Sequence, residues 1–186
     1  MTHDCEETEA RLEAAEAELE RIRFTLDVVG TVDLDTSLLN RNGIFESIQR
    51  AQRWLTRRGD LYGALYIRFP NLVVPEEPTP AHLELLKHIA ATISAGVRDV
   101  DEVGRAEENA FAAVLADLQP GTIEIVANRV RAMLSRVAKN TPEIGDLFHI
   151  GGVEVHAATH NSGAVLDTAR RLSLEAAADS INLSAL

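Results

Sequence analysis

The sequence predicts an α+β fold: a central, mostly antiparallel sheet flanked by helices and preceded by a long N-terminal helix. Three observations carry this. From about residue 36 the hydrophobic pattern switches repeatedly between helix-like and strand-like periods. Two apolar runs near the middle are joined by a short polar turn, as in a β-hairpin. The opening segment repeats every seven residues instead of alternating. At 186 residues, 46% hydrophobic and 25% charged, the chain is long and apolar enough for one ordinary core plus an appendage.

The appendage comes first. Leu12, Leu19 and Leu26 recur at intervals of seven, and so do Ala15, Ile22 and Val29. Placed at heptad positions a and d, they form a narrow seam that is too thin for one face of a globular core. A helix with such a seam needs a partner, so residues 8–29 are expected to form a parallel homodimeric coiled coil; a leader helix packed back on its own domain is the alternative. Gly30 and Thr31-Val32-Asp33 end the repeat. The expected division is a coiled-coil helix over 1–32 and one domain over 33–186.

Within the domain, Ile44, Ile48, Ala51 and Leu55 share one face of a helix that Arg57-Arg58-Gly59-Asp60 ends. Leu61 to Phe69, rich in aromatic and branched residues, reads as a buried strand. Four prolines between Pro70 and Pro80 make a loop, and a helix follows from about Ala81 to Val97. Residues 103–117 form a hairpin turning at Glu107 to Asn109, with Ala110 to Leu118 as its second arm. Thr122 to Lys139 is a periodic helix, Leu147 to Ala158 a strand or strand pair, and Val165 to Ala178 a last helix.

Charge and cysteine content exclude several function classes. The formal charge is −11, from 18 Lys+Arg against 29 Asp+Glu. Residues 1–35 hold 11 of the acids and 3 arginines, so the domain itself is close to neutral. That balance argues against broad binding to nucleic acid or to an anionic membrane. The longest apolar run, Ala110 to Ala116, is too short to span a bilayer. A single cysteine, Cys5, excludes an internal disulfide framework and points to a reducing, cytoplasmic setting.

The string Asp33-Leu34-Asp35-Thr36-Ser37-Leu38-Leu39-Asn40-Arg41 resembles the D-x-LTGLxNR opening of GGDEF domains, the diguanylate cyclase family. Gly104-Arg105-Ala106 matches the lead-in to that family's signature hairpin, and Glu107-Glu108-Asn109-Ala110-Phe111 stands in place of the signature. Ile150-Gly151-Gly152-Val153 is similar to the family's SIGVA strand, and Leu166 to Ala176 to its final helix. The resemblance implies a nucleotidyl-cyclase-like domain with a ferredoxin-like core, in a bacterial signalling protein, over roughly residues 33–182.

What the resemblance implies about catalysis is negative. Two divalent ions need carboxylates, and the family's first metal-binding Asp is here Arg68, its second Pro70. The signature glycines admit phosphates, whereas Glu107 and Glu108 bring side chains and negative charge. The signature acid is replaced by Asn109-Ala110, the guanine-reading pair falls in the shortened Val73 to Thr79 loop, and the phosphate-binding lysine is Ala177. The expectation is a non-enzyme with no catalytic residue, metal or cofactor. A second, inhibitory site is expected to survive, because Arg98-Asp99-Val100-Asp101 matches the family's R-x-x-D motif five residues before the signature. Arg129 matches its supporting arginine. Together, Arg98, Asp101 and Arg129 are expected to bind cyclic di-GMP, the arginines pairing with phosphate or a guanine edge and the aspartate accepting from guanine. The implied function is a dimeric cyclic di-GMP receptor read by a downstream protein. A ligand-independent dimeric scaffold is the alternative, since Arg98 and Asp101 three apart also suit an ordinary surface ion pair. His149, His156 and His160 lack the spacing of a metal site.

Overall fold

Local chemistry sets where the helices begin. In the computed structural model, which describes residues 30–75, 77–141, 148–157, 161–177 and 180–186 with residues 11, 12, 15, 16, 18, 19, 21, 22 and 25 before them, four helices follow the N-terminal segment. Helix α1 (Arg41–Arg58) starts at Asn40, whose side chain accepts from the Gly43 N–H. Helix α2 (Pro80–Ala95) has proline in its first turn and a capping box between Thr79 and His82. Helix α4 (Ser162–Glu175) is capped by Asn161, which accepts from the Ala164 N–H. Helix α3 (Thr122–Ala138) lacks a side-chain cap of its own and starts from Gly121 at φ 78°, a left-handed conformation that favours glycine.

The five strands are β1 (Leu61–Arg68), β2 (Glu102–Glu107), β3 (Ala110–Leu118), β4 (His149–Val155) and β5 (Ser180–Ala185), in the order β2-β3-β1-β4-β5. β1 runs antiparallel to β3 and β4, β2 and β3 form the hairpin, and β5 joins β4 in parallel. The result is the ferredoxin-like βαββαβ core with α4 and β5 appended, a mixed sheet with helices on both faces. The alternation of β1 divides the interior in two. Leu65 and Ile67 enter the core beneath α2 and α3, with Leu86, Ile93, Val130 and Leu134. Tyr62, Ala64 and Tyr66 enter the core beneath α1 and α4, with Ile44, Ile48, Val165 and Ala169. Gly151 permits that second contact, because a Cβ there would lie 2.0 Å from the Ala169 carbonyl.

The hairpin falls where the pattern places it, with β2 ending at Glu107 and β3 beginning at Ala110. Other boundaries move. The strand expected over 147–158 covers His149–Val155, the last helix starts at Ser162 and ends at Glu175, and β5 follows as a further strand that the sequence reading does not include. All described positions between 11 and 25 are helical, and Leu12, Leu19 and Ile22 are exposed there. The seam positions Leu26 and Val29 lie outside the described residues, as do Cys5 and His160.

Candidate ligand-binding site

Arg98, Asp101 and Arg129 converge on the turn that links α2 to β2. Helix α2 ends with Gly96 held by the Ile93 carbonyl, and the chain reverses through Arg98 to Asp101, whose N–H donates to the Arg98 carbonyl at 2.9 Å. The Asp101 carboxylate closes the turn. Oδ2 accepts from the Arg98 backbone N–H at 2.8 Å, and Oδ1 accepts from the Ala116 N–H on β3 at 3.1 Å. The Arg98 guanidinium approaches the same carboxylate at 3.3–3.4 Å and also donates to the Ala116 carbonyl. From α3, Arg129 reaches over and donates its Nε–H to the Gly96 carbonyl at 2.6 Å.

These contacts give the three residues unequal roles. The Asp101 side chain has 0% exposure and its oxygens are engaged within the chain, whereas the Arg98 side chain is 44% exposed. Arg129 is exposed and fixed at its Nε, and that anchor orients its guanidinium. The arrangement therefore presents two arginine heads beside one turn, with Asp101 as the buried group that holds one of them. Sequence spacing could pair Arg98 with Asp101. It carries no sign of the Ala116 N–H, 15 positions away, that draws the carboxylate inward.

A second concavity lies at the hairpin end of the sheet. It has a volume of 760 Å³ and is lined by Asp33, Asp35, Asn40, Arg41, Arg105, Glu107, Glu108 and the loop residues Val74, Pro75 and Pro78. Arg105, only 9% exposed at its side chain, donates to Asp35 at 2.9 Å and lies 3.4 Å from Asp33. Glu107 accepts from the Arg170 Nε–H at 2.8 Å and lies 3.9 Å from Arg41. Burial, reinforced by the Glu107 charge, pushes the Tyr66 hydroxyl well above the usual phenol range, and Glu107 likewise raises the Arg170 guanidinium. Arg68 closes β1 between Ala110 and His149, with its Nε buried. Among the described residues no three His, Cys, Asp or Glu side chains stand close enough to hold a metal ion. The concavity's Asp33, Asp35 and Glu107 carboxylates are already engaged by Arg105, Arg170 and Arg41, so this lining does not fit a divalent ion. The Asp33 and Asp35 pairs with Arg105 span 72 and 70 positions, a separation that no local pattern reports.

The fold has known counterparts. No family sequence model and no curated protein sequence matches the chain. Among solved structures, the diguanylate cyclase SiaD of Pseudomonas aeruginosa, in complex with its activator SiaC, superposes with a TM-score of 0.69 at 20% identity, over 96% of this chain and 71% of that one. The coiled coil and GGDEF domain of DgcB from Caulobacter crescentus, in complex with c-di-GMP, gives 0.66 at 18% identity, over 95% and 99%. The GGDEF domain of PA1120 (YfiN or TpbB) from Pseudomonas aeruginosa gives 0.67 at 26% identity, over 81% and 99%. The chain has the GGDEF-domain fold. None of its described helices is long and apolar enough to cross a membrane.

Proposed function

We propose that this chain is a non-catalytic signalling module of the GGDEF fold that binds cyclic di-GMP through Arg98 and Arg129, with Asp101 positioning Arg98. The observation that carries the reading is the delivery of both arginines, 31 positions apart in sequence, to the turn at Gly96. Two guanidinium forks at fixed positions suit an anionic dinucleotide, since each can pair bidentately with a phosphate or a guanine edge. Structural neighbours crystallised with c-di-GMP support the ligand class. The non-catalytic reading draws on the sequence resemblance, in which Arg68 stands at the position of a metal-binding Asp and Glu107 and Glu108 at the positions of the signature glycines. Dimerisation through residues 8–29 in the cytoplasm draws on the exposure of Leu12, Leu19 and Ile22. It would fix how two domains face each other, for a downstream protein to read.

The scaffold reading draws on a different observation, the enclosure of the Asp101 carboxylate, which removes one of three expected ligand contacts. Titration calorimetry separates the two. Cyclic di-GMP is expected to release heat with the wild type and to bind at least about tenfold more weakly to Arg98→Ala and to Arg129→Ala, as expected from losing a charge-assisted hydrogen bond. No heat at tens of micromolar ligand leaves the scaffold. Incubation with GTP and Mg²⁺ is expected to yield no cyclic di-GMP above a protein-free control.

A further inference from the structure

The two edges of the sheet differ in how they are protected. On β2, Leu39 bridges to Gly104, and the Arg105 N–H donates to the Leu39 carbonyl, so the preceding segment covers that edge. Glu102, Arg105 and Glu107 add charge along it. Charge and cover are the usual means by which proteins stop a sheet from recruiting further strands. The other edge has neither charge nor proline: β5 reads Ser-Ile-Asn-Leu-Ser-Ala, and among the described residues only β4 pairs with it.

Backbone direction determines which groups of β5 face outward. The Leu186 N–H donates to the Glu154 carbonyl, and the His156 N–H donates to the Leu186 carbonyl, so Leu186 addresses β4. The two-residue period then turns Ser184 and Asn182 toward β4 as well. It directs the N–H and C=O groups of Ala185, Leu183 and Ile181 away from the sheet. The side chains of Ile181 and Leu183 pack on the core beneath α3. With Glu124, Asn128 and Arg131 of α3 they line a groove of 530 Å³ that runs beside this open edge.

We propose that β5 is a self-association edge, at which two copies of this chain pair their β5 strands antiparallel about a two-fold axis near Asn182. In that register Ile181 of each copy exchanges backbone hydrogen bonds with Leu183 of the other, and the apolar strip beneath α3 becomes continuous across the junction. The choice of occupant rests on charge. Helix α3 begins at the Ala185 end of β5, because Glu154, the register partner of Ala185, accepts from the Gly121 N–H at 3.0 Å. Glu124 and Arg131, seven residues apart on one helix face, therefore lie toward opposite ends of the groove. A two-fold reverses that order and sets Glu124 of each copy toward Arg131 of the other, the self-complementarity an isologous interface requires. A strand from an unrelated protein would gain the backbone bonds but not this match.

Sedimentation velocity of the full chain over a concentration range tests the proposal. The wild type is expected to gain mass reversibly as concentration rises, by a doubling if its starting unit is a monomer and by growth through both β5 edges if it is a coiled-coil dimer. Leu183→Pro removes an N–H that faces away from β4, so it should abolish the gain while leaving circular dichroism unchanged. Glu124→Arg and Arg131→Glu should each weaken the association several-fold, and the two reversals together should restore it. Restoration by the double reversal keeps the test decisive even if the proline variant folds poorly. A wild-type mass independent of concentration, a folded Leu183→Pro that gains mass like the wild type, or a double reversal no better than either single one would overturn the proposal. Because the readout is mass without added ligand, its failure is separate from any failure of cyclic di-GMP binding.

Discussion

At the scale of single residues, Asp101 and Arg98 share a motif but differ in what they hold up. Asp101 satisfies two backbone N–H groups from inside the protein, so Asp101→Ala leaves buried donors without acceptors. A loss of about 2–3 kcal/mol is expected in urea denaturation, with partial recovery in Asp101→Asn. Arg98→Ala, which removes a side chain 44% exposed, should cost under about 1 kcal/mol. The same motif thus divides into a residue that mutation removes through folding and one it removes through binding. Tyr62 makes a second prediction at this scale. Its hydroxyl is buried with no hydrogen-bond partner among the described residues, and burial pushes it up to about 12. An unfolded tyrosine ionises near 10, so the native state holds the proton more tightly, and stability falls as pH rises from 10 toward 12. Tyr62→Phe should leave stability at neutral pH equal or slightly higher, and thermal melts across the alkaline range should show a shallower loss. The resemblance was able to point to Arg98, Asp101 and Arg129 by position. The direction in which Asp101 points was not legible, because it depends on Ala116, a residue with no chemical signature.

At the scale of elements, strong periodicity was readable and cross-element support was not. The hairpin could be placed because Ala110 to Leu118 is a continuous apolar run bounded by Glu107 to Asn109. β5 escaped because its alternation rests on only two large apolar residues, Ile181 and Leu183, in a six-residue segment; that signal is too short to stand alone, and pairing with β4 makes it a strand. The start of α3 shows the same limit. Gly121 offers no side chain, and the cap comes instead from Glu154 on β4, whose two oxygens accept from the Gly121 N–H at 3.0 and 3.2 Å. Glu154 is nearly buried and also meets His156 Nε2 at 2.7 Å, so Glu154→Ala should cost about 2 kcal/mol and Glu154→Gln less, read by chemical denaturation. The contact between α1 and β2 gives a pH-dependent case. Burial alone would raise the Glu102 carboxyl, but hydrogen bonds from Ser47 and Arg50, with the Arg50 charge, hold it below its ordinary 4.5. A depressed folded-state value contributes stability at neutral pH that is lost as pH falls through that value. The gap between wild type and Arg50→Ala is therefore expected to be about 0.5–1 kcal/mol at pH 7, modest because both side chains are partly exposed, and to close in acid.

At the scale of the whole molecule, the acidic excess and the folded body are joined by a short, well-anchored connector. Asn40 donates from Nδ2 to the Gly30 carbonyl at 3.0 Å and from its backbone to the Thr31 carbonyl at 2.9 Å. Arg105 on β2 holds Asp33 and Asp35, and β2 begins directly after the Arg98–Asp101 turn. The segment from Gly30 to Asp35 is therefore anchored beside the strand that follows the candidate ligand turn, and in the proposed coiled-coil dimer this anchor would set how the two domains face each other. Leu12 and Leu19 are each 60% exposed in one copy, an apolar stripe too narrow for a domain core and suited to a second helix. Leu19→Glu places a charge in that seam without touching the domain. In dilute protein the sedimenting mass should halve relative to wild type, while the domain's unfolding midpoint stays within the roughly 0.5 kcal/mol expected of a surface substitution. The opposite pattern, unchanged mass with a less stable domain, would place the helix against its own body and withdraw the coiled coil. If cyclic di-GMP affinity falls in the same variant although Arg98 and Arg129 are intact, the ligand is held between protomers, and dimerisation is part of recognition as well as of display.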